Sequence, residues 1–334
     1  MTKILMTSVR NDEEEAINAY AKLHHIEIEI SRDEFHPETM PDLTNIDGLV
    51  IQQTAEIGGD QAFYNQLAQQ VGQITTRTAG YDMIEVDLAK NAGLKVTNVP
   101  AYSPRSVAEM ALMQIFRLLR RTPEFDARIA QNDFRWAGLQ SREIHSVTVG
   151  IIGAGRIGGT LAGLLHALGT KVLAYDVNPR DDLRDLVTYV SKEELLSQSD
   201  VISLHVDLND TSVNLLSASD FSQMKDGGLL VNASRGPVIN TDDLIDALDN
   251  GKLHAVALDT VTDESPVFNH DLRKTGVADE RIKKLLAMPN VLLTPHVAFF
   301  TNIAVANMVD FALDDVLTIH QAPLHHMKYK KSAF

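Results

Sequence analysis

The chain has 334 residues, 44% of them hydrophobic and 22% charged, so it is long enough for two domains with separate cores. Its formal net charge of -15 argues against a nucleic-acid partner, which needs a basic face. It contains no cysteine, which excludes disulfides, a thiolate nucleophile and thiolate-bound metals, and we expect no metal site. No apolar run is long enough to cross a membrane, so a cytoplasmic protein without a membrane partner is expected.

The first hundred residues alternate short apolar runs with amphipathic stretches, which is typical of a parallel α/β domain. The elements predicted there are strands near 3–8, 25–30, 47–52, 73–77 and 95–98, and helices near 11–23, 59–71 and 84–92. The block ends at Asn98–Pro104, whose prolines favour a turn. A long helix then starts at Pro104, an ordinary first helical residue, and runs to about Arg121.

A glycine motif, Gly153–Gly158, lies between a strand predicted near 147–152 and a helix predicted over 156–168. Its first glycine permits a tight turn, its second lets the backbone approach a pyrophosphate, and its third lets the helix lie close to the strand. The helix N-terminus offers free N–H groups to the phosphates. A strand near 171–175 ends at Asp176, an acid suited to ribose hydroxyls. This spacing predicts a dinucleotide-binding βαβ unit.

The remaining elements continue the α/β succession before a last helix departs from it. They are strands near 187–190, 201–206, 228–233, 254–258 and 290–294, and helices near 192–198, 241–249 and 279–287. A helix near 303–319 comes too late for this succession, so we expect it to return to the first domain. The predicted fold is α/β, with two Rossmann-like domains built on doubly wound parallel sheets. A flavodoxin-like substrate domain, 1–101 and 299–334, is split around a contiguous dinucleotide-binding domain, 102–298.

Polar residues follow three of the later strands at the edge where open α/β sheets place their sites. They are Arg235, the acidic segment Asp259–Glu264, and His296. Each alone has an ordinary reading, because arginines often form caps or ion pairs and histidines are often structural. Together with a nicotinamide site they indicate hydride transfer to a carbonyl. This reaction needs a cation to orient the substrate and an acid to protonate the developing alkoxide.

These motifs resemble the NAD-dependent D-2-hydroxyacid dehydrogenase family, most closely its D-lactate dehydrogenase branch from lactic acid bacteria. The resemblance covers nearly the whole chain. It is carried by the glycine motif with Asp176 and by four further segments: Arg77–Asp82, Asn98–Pro104, Asn232–Gly236 and Pro289–His296.

The resemblance implies that Arg235 binds the substrate, that His296 is the acid/base, and that Glu264 assists it. The implied substrate contacts are made by Gln52, Ala79, Gly80, Tyr102 and Phe299, with the carboxylate held by backbone N–H groups near Ala79 and Gly80. The implied cofactor contacts are made by Gly153, Gly155, Arg156, Ile157, Gly158, Asp176, Val206, Ser212, Ala233, Ser234 and Asp259. Asp259 is expected near the carboxamide. A homodimer through the NAD-binding domains is expected, using the helix from Arg105 to Arg121 and the arm that contains Trp136.

Two features bear on specificity. Asp176 would repel a 2′-phosphate, so NAD is predicted over NADP. Gln52 replaces the aromatic residue usual in the lactate branch, so we expect pyruvate as first substrate together with activity on larger 2-keto acids. Two other functions stay open. One is a glyoxylate/hydroxypyruvate or phenylpyruvate reductase, and the other is a corepressor-like protein that binds the dinucleotide without turnover.

Overall fold

The structure, a computed structural model, describes residues 2–53 and 55–321. The chain divides into two compact units, which we call the first and the second unit. The first runs to Ser103 and resumes at Thr301, and the second is Pro104–Phe300. Each of these boundaries lies two residues after the predicted one. Within the described ranges, no helix is both long and apolar enough to cross a lipid bilayer.

The first unit is built on a parallel sheet that has five strands among the described residues. They are β1 (Lys3–Met6), β2 (Glu27–Ile30), β3 (Gly48–Ile51), β4 (Gln73–Thr76) and β5 (Lys95–Asn98). Their order is β2-β1-β3-β4-β5, the flavodoxin-like order. The central strands β3 and β4 are buried along their whole length, as parallel strands covered on both faces should be.

The second unit contains a larger parallel sheet, with seven strands in the described chain. They are β6 (Thr148–Ile152), β7 (Lys171–Tyr175), β8 (Thr188–Tyr189), β9 (Val201–Leu204), β10 (Gly228–Asn232), β11 (Leu253–Leu258) and β12 (Val291–Leu293). Their order is β12-β11-β10-β9-β6-β7-β8. This is the Rossmann order with one further edge strand, β12. All strands are parallel, and the order in which successive strands are added reverses between β6 and β9. Dinucleotides bind at such a reversal.

The helices connect these strands. In chain order they are α1 (Glu14–His24), α2 (Gln61–Ala68), α3 (Val86–Asn91), α4 (Pro104–Leu119), α5 (Thr122–Ile129), α6 (Arg156–Ala167), α7 (Lys192–Gln198), α8 (Ala218–Gln223), α9 (Thr241–Asp249), α10 (Glu280–Ala287) and α11 (Asn302–Gln321). Side-chain oxygens that accept first-turn N–H groups cap several of them, among them Asp60, Ser191, Asn240 and Asp279.

Each sheet has an apolar core on both faces. In the first unit, the C-terminal helix α11 supplies Leu313 and Val316 to the core that contains Val50 of β3. This helix therefore packs into the core of the first unit. In the second unit, α4 and α6 cover one face of the sheet, and Ile115 and Leu161 lie in the same core. Helices α7 to α10 cover the other face.

The predicted α/β fold class with two parallel sheets is confirmed, and the predicted strands are all present. Most are one or two residues shorter than predicted, β5 and β7 have the predicted bounds, and β11 begins one residue earlier. Two helices were not predicted. The long helix after Pro104 ends at Leu119, because Arg121 takes a left-handed conformation with φ of 56°, and α5 begins beyond it. The six-residue helix α8 is the second, and a reciprocal capping box between Ser217 and Asp220 stabilises its start.

Candidate active site

The glycine motif forms a tight turn between β6 and α6. Gly153 has φ of +91°, and a Cβ added to it would lie 2.5 Å from the backbone oxygen of His205. A Cβ at Gly158 would lie 2.0 Å from the oxygen of Gly153, so this glycine sets how closely α6 approaches the turn. A Cβ at Gly155 would meet nothing within 4 Å, so this residue faces open space. These are the three properties that a pyrophosphate-binding turn requires.

Helix α6 starts with Arg156 and Ile157, whose N–H groups belong to the first turn and have no partner within the helix. Asp176 follows β7 and faces the same turn, because its Oδ2 accepts the Ala154 N–H at 2.7 Å. Its Oδ1 accepts the Asn178 N–H at 2.8 Å. An open glycine turn, a helix N-terminus and a carboxylate therefore converge, and the residues present fit a dinucleotide.

Four further residues predicted to contact the cofactor either use their side chains within their own loops or are buried or partly buried. Ser212 donates its hydroxyl to the Asp207 oxygen at 2.7 Å, and Ser234 donates its hydroxyl to Asn232 Oδ1 at 2.7 Å. Ala233 is buried. Val206 is partly buried against the core that helices α7 to α10 form with the second sheet. Cofactor contact by Ser212 and Ser234 stays a prediction.

Arg235 lies in a rigid turn after β10. Asn232 organises this turn, because its Oδ1 accepts the Ser234 N–H at 3.0 Å and its Nδ2 donates to the Arg235 oxygen at 3.0 Å. The Arg235 side chain is partly buried, and its Nη1 donates to the Ser234 oxygen at 3.0 Å. A Cβ at Gly236 would lie 2.0 Å from the carbonyl carbon of Val261, so the Arg235 turn packs directly on the segment after β11.

His296 and Glu264 form a hydrogen-bonded pair. The distance from His296 Nδ1 to Glu264 Oε1 is 2.5 Å, and the two side chains are 28% and 15% exposed. The other carboxylate oxygen of Glu264 accepts the Val261 N–H at 2.8 Å, so the acid is held in place. His296 has φ of 53°, an uncommon conformation for a residue with a side chain. Such local strain often accompanies functional sites.

Asp259 fixes the loop that carries His296. It is 1% exposed, and its Oδ1 accepts the Thr294 hydroxyl at 2.5 Å and the Val297 N–H at 3.1 Å. Its Oδ2 accepts the Ala298 N–H at 2.9 Å, and its backbone oxygen accepts the His296 N–H at 2.8 Å. The Asp259 carboxylate therefore accepts from the Thr294 hydroxyl and from two backbone N–H groups. Its predicted contact with the carboxamide of the nicotinamide stays a prediction.

Sequence reasoning missed the polar residues that support this edge of the second unit. Asn232 shapes the Arg235 turn, and Thr294 links Asp259 to α4 by accepting a hydrogen bond from Gln114 Nε2 at 3.1 Å. A usable signal was present, since Asn232 and Thr294 are polar residues at the very end of apolar strands. The predicted catalytic residues lie at the carboxyl ends of three adjoining strands of the second sheet. Arg235 follows β10, Asp259 and Glu264 follow β11, and the His296 loop follows β12.

The first unit presents a second candidate feature, the loop after β4. Its carbonyls are tied back, since the Thr78 hydroxyl donates to the Gly80 oxygen at 2.6 Å and Asn98 Nδ2 donates to the Ala79 oxygen at 2.6 Å. The Thr78 oxygen accepts the Val99 N–H at 3.0 Å. Within the described residues, the N–H groups of Ala79 and Gly80 make no hydrogen bond. This loop therefore offers two oriented donors to an anion.

The other predicted substrate residues are placed as follows. Gln52 comes directly after β3 in the first unit, and its Oε1 is buried without a hydrogen-bond donor among residues 2–53 and 55–321. Tyr102, also in the first unit, accepts a hydrogen bond from Asn307 Nδ2 at its backbone oxygen. Phe299 packs against the core of the second unit and makes an edge-on contact with Phe300, with ring centroids 5.7 Å apart.

A Rossmann sheet with an arginine and a carboxylate–histidine pair at adjoining strand ends is typical of an NAD-dependent oxidoreductase. Residues 112–298 match the family model "D-isomer specific 2-hydroxyacid dehydrogenase, NAD binding domain". The chain is 39% identical over 320 residues to the D-2-hydroxyacid dehydrogenase (NAD(+)) of Clostridioides difficile, covering 95% of this chain and 96% of that protein.

Solved structures agree with this match. A D-lactate dehydrogenase from Sporolactobacillus sp. superposes with a TM-score of 0.83 at 52% identity, covering 96% of both chains. A D-2-hydroxyisocaproate dehydrogenase superposes with a TM-score of 0.87 at 32% identity, covering 96% of this chain and 97% of the other. The chain therefore belongs to the D-isomer specific 2-hydroxyacid dehydrogenases. The predicted family, enzyme class and NAD cofactor are confirmed.

Proposed function

We propose that this enzyme reduces a 2-keto acid to the D-2-hydroxy acid, with pyruvate and D-lactate as the first substrate pair. The observation that carries the proposal is the contact of 2.5 Å between His296 and Glu264 at the sheet edge that also carries Arg235. A histidine held by a carboxylate through one ring nitrogen is suited to proton transfer through the other.

His296 acts as the general acid in reduction. Its Nδ1 is engaged by Glu264, whereas its Nε2 makes no hydrogen bond within the described chain. Nε2 is therefore the atom that protonates the developing alkoxide. The carboxylate of Glu264, fixed by the Val261 N–H, keeps the ring oriented and stabilises the imidazolium before the proton leaves. In the oxidation direction the same nitrogen accepts the proton from the hydroxyl.

Arg235 orients and polarises the substrate carbonyl through its planar fork of donors. Its turn is rigid, because Asn232 binds both ends of it and Gly236 packs on Val261. The N–H groups of Ala79 and Gly80 take the substrate carboxylate, since they are oriented and otherwise unbonded among the described residues. Tyr102, Phe299 and Gln52 contribute to the wall around the substrate side chain.

NAD, when bound, accepts or supplies the hydride. The residues that would hold its pyrophosphate are Gly153, Gly155 and Gly158 with the N–H groups of Arg156 and Ile157. Asp176 would take the ribose hydroxyls. Val206, Ser212, Ala233, Ser234 and Asp259 complete the proposed contact set.

The test is a spectrophotometric assay of NADH oxidation with pyruvate, glyoxylate, hydroxypyruvate, 2-ketoisocaproate and phenylpyruvate. Turnover of at least one of them is expected, whereas NADH binding without turnover would favour the corepressor-like alternative. His296→Ala and Arg235→Ala should each lower kcat/KM by at least a hundredfold. His166→Ala, on the exposed surface of α6, is the matched control and should keep normal turnover. Near-normal activity of the His296 or Arg235 variant would refute the assignment of its role.

A second candidate specificity rests on Gln52. Its buried Oε1 lacks a donor among the described residues, and a polar atom in that state is costly. Glutamine is also smaller than the aromatic residue usual at this position in the lactate branch, so we propose that it admits a substrate side chain larger than the methyl group of pyruvate. On this reading phenylpyruvate or 2-ketoisocaproate gives a higher kcat/KM than pyruvate in the same assay.

We also propose a homodimer through the NAD-binding unit, and a cytoplasmic location. Support for the dimer comes from a shallow apolar groove of about 390 Å³ along α4, lined in part by Leu112, Met113 and Phe116. Nearby in sequence, Phe134 and Trp136 are 73% and 82% exposed. Large exposed apolar side chains of this kind mark interaction sites. Sedimentation velocity of the enzyme and of Met113→Glu should give a dimer and a monomer, respectively.

A further inference from the structure

A buried ion pair lies beside the loop that offers the Ala79 and Gly80 donors. Arg77 and Glu13 each have 0% side-chain exposure, and Arg77 Nε donates to Glu13 Oε1 at 2.9 Å. Arg77 Nη2 donates to the other oxygen of Glu13 at 3.2 Å, so the contact is bidentate. The guanidinium also donates to the backbone oxygens of Thr7, at 3.0 Å, and Ser8, at 3.2 Å.

These contacts join three chain segments at the carboxyl edge of the first sheet. Thr7 and Ser8 follow β1, Glu13 ends a short 3-10 helix, and Arg77 directly follows β4. The Arg77 N–H donates to the Ile51 oxygen at 3.0 Å, so its backbone continues the pairing of β4 with β3. Glu13 is itself held, because its Oε2 accepts the Arg10 N–H at 2.8 Å. The side chain and the backbone of Arg77 are thus both fixed.

A fully buried ion pair is weak evidence for a role in stability alone. Removing two charges from water is expensive, and apolar residues of similar volume often replace such pairs with neutral or favourable effects on stability. What a bidentate pair does provide is a unique geometry. Here the bidentate pair fixes Arg77, the residue directly before Thr78. The Thr78 hydroxyl in turn holds the Gly80 oxygen.

We propose that Arg77, held by Glu13, is a positioning residue for substrate binding: it sets the direction of the Ala79 and Gly80 N–H groups. This inference rests on the proposed function, in which those groups bind the substrate carboxylate. The two donors lie two and three residues beyond Arg77, so a shift of its backbone moves both. Misplacement of a binding group by about 1 Å can cost a hundredfold in rate. The guanidinium of Arg77 therefore affects substrate binding through the position of the backbone, without contacting the substrate.

The test replaces the pair by apolar residues and separates substrate binding from stability. Glu13→Met/Arg77→Met should lower the thermal midpoint, because the Thr7 and Ser8 oxygens and the Arg10 N–H lose their partner. It should bind NADH with unchanged Kd and show a KM for pyruvate raised by about 10- to 100-fold. Arg77→Lys, which keeps the charge but cannot form the bidentate contact, should raise KM in the same direction. If the double variant does not fold, Arg77→Lys decides the question by the same criterion.

Gln73→Met is the matched control at the opposite end of β4. Gln73 is 2% exposed, accepts the Leu49 N–H at 3.0 Å and donates to Thr75 Oγ1 at 2.9 Å. Its replacement should lower the thermal midpoint and leave the KM for pyruvate within twofold. A folded Arg77 variant whose KM also stays within twofold would overturn the positioning role while leaving the proposed function intact. Failure of the wild-type enzyme to reduce any 2-keto acid would overturn the proposed function itself.

Discussion

Gly158→Ala tests whether the approach of α6 to the glycine turn controls cofactor binding. The added Cβ would lie 2.0 Å from the Gly153 oxygen, whereas real Cβ atoms essentially never come closer than 3.0 Å. The helix start and the turn must therefore separate by about 1 Å. Overpacking of this kind costs about 1–3 kcal/mol, and the better helix propensity of alanine returns only about 1 kcal/mol.

Gly163→Ala is the matched control on the same helix. Its added Cβ would meet Leu186 Cδ1 at 3.9 Å, an ordinary contact, so it should gain about 0.5–1 kcal/mol. The propensity gain is similar in the two variants, so they should differ by the overpacking cost, about 1–3 kcal/mol. For a domain of 150–250 residues this corresponds to a difference of about 2–12 °C in thermal midpoint.

The assays are thermal unfolding and NADH binding followed by fluorescence. Gly158→Ala should weaken NADH binding by about tenfold or more, because about 1.4 kcal/mol of lost pyrophosphate contact corresponds to a factor of ten. Gly163→Ala should bind NADH like the wild type. If Gly158→Ala matched Gly163→Ala in both midpoint and Kd, the close approach of α6 would not be what the glycine provides.

Three other outcomes are expected. Asp176→Asn should raise the ratio of kcat/KM with NADPH to that with NADH at least tenfold, since it removes the charge that repels a 2′-phosphate; an unchanged ratio would contradict this role. Gln52→Leu, which removes a buried acceptor that lacks a donor, should favour 2-ketoisocaproate over pyruvate by about five- to tenfold, and Gln52→Phe should have the opposite effect. Burial lowers the pKa of His205 to about 4, so the unfolded chain binds a proton there that the folded chain does not. The resulting stability is full above about pH 6.5 and is lost as the pH falls toward 4, so His205→Asn should remove about 2 kcal/mol of the loss measured between pH 7 and pH 5.

The fold could be predicted because its signals are local. Alternating apolar runs marked the strands, and the glycine motif followed by an acid marked the dinucleotide turn. The helix that was missed after Arg121 has no buried residue, so its sequence lacks the apolar stripe by which a helix is recognised. A capping box did mark α8, but six residues are too few for periodicity to show.

The candidate site was predictable in its residue types and not in its supporting contacts. Arg235, Glu264 and His296 stand after apolar strands, where their chemistry is conspicuous. The partners of Asp259 lie 35 to 39 residues away, and Glu13 lies 64 residues from Arg77. Contacts of that separation depend on tertiary packing, and no motif in the sequence encodes them.

The return of α11 to the first unit has a consequence for biosynthesis. Residues up to Ser103 leave the ribosome first, but Leu313 and Val316, which complete their core, follow only after the whole of Pro104–Phe300. At about 5–20 residues per second, the roughly 200 intervening residues take about 10–40 s to translate. During that interval the apolar face formed by Ile4, Met6 and Val50 lacks the part of its cover that α11 supplies. The nucleotide-binding unit, although second in sequence, is thus the first that can complete its core on the nascent chain.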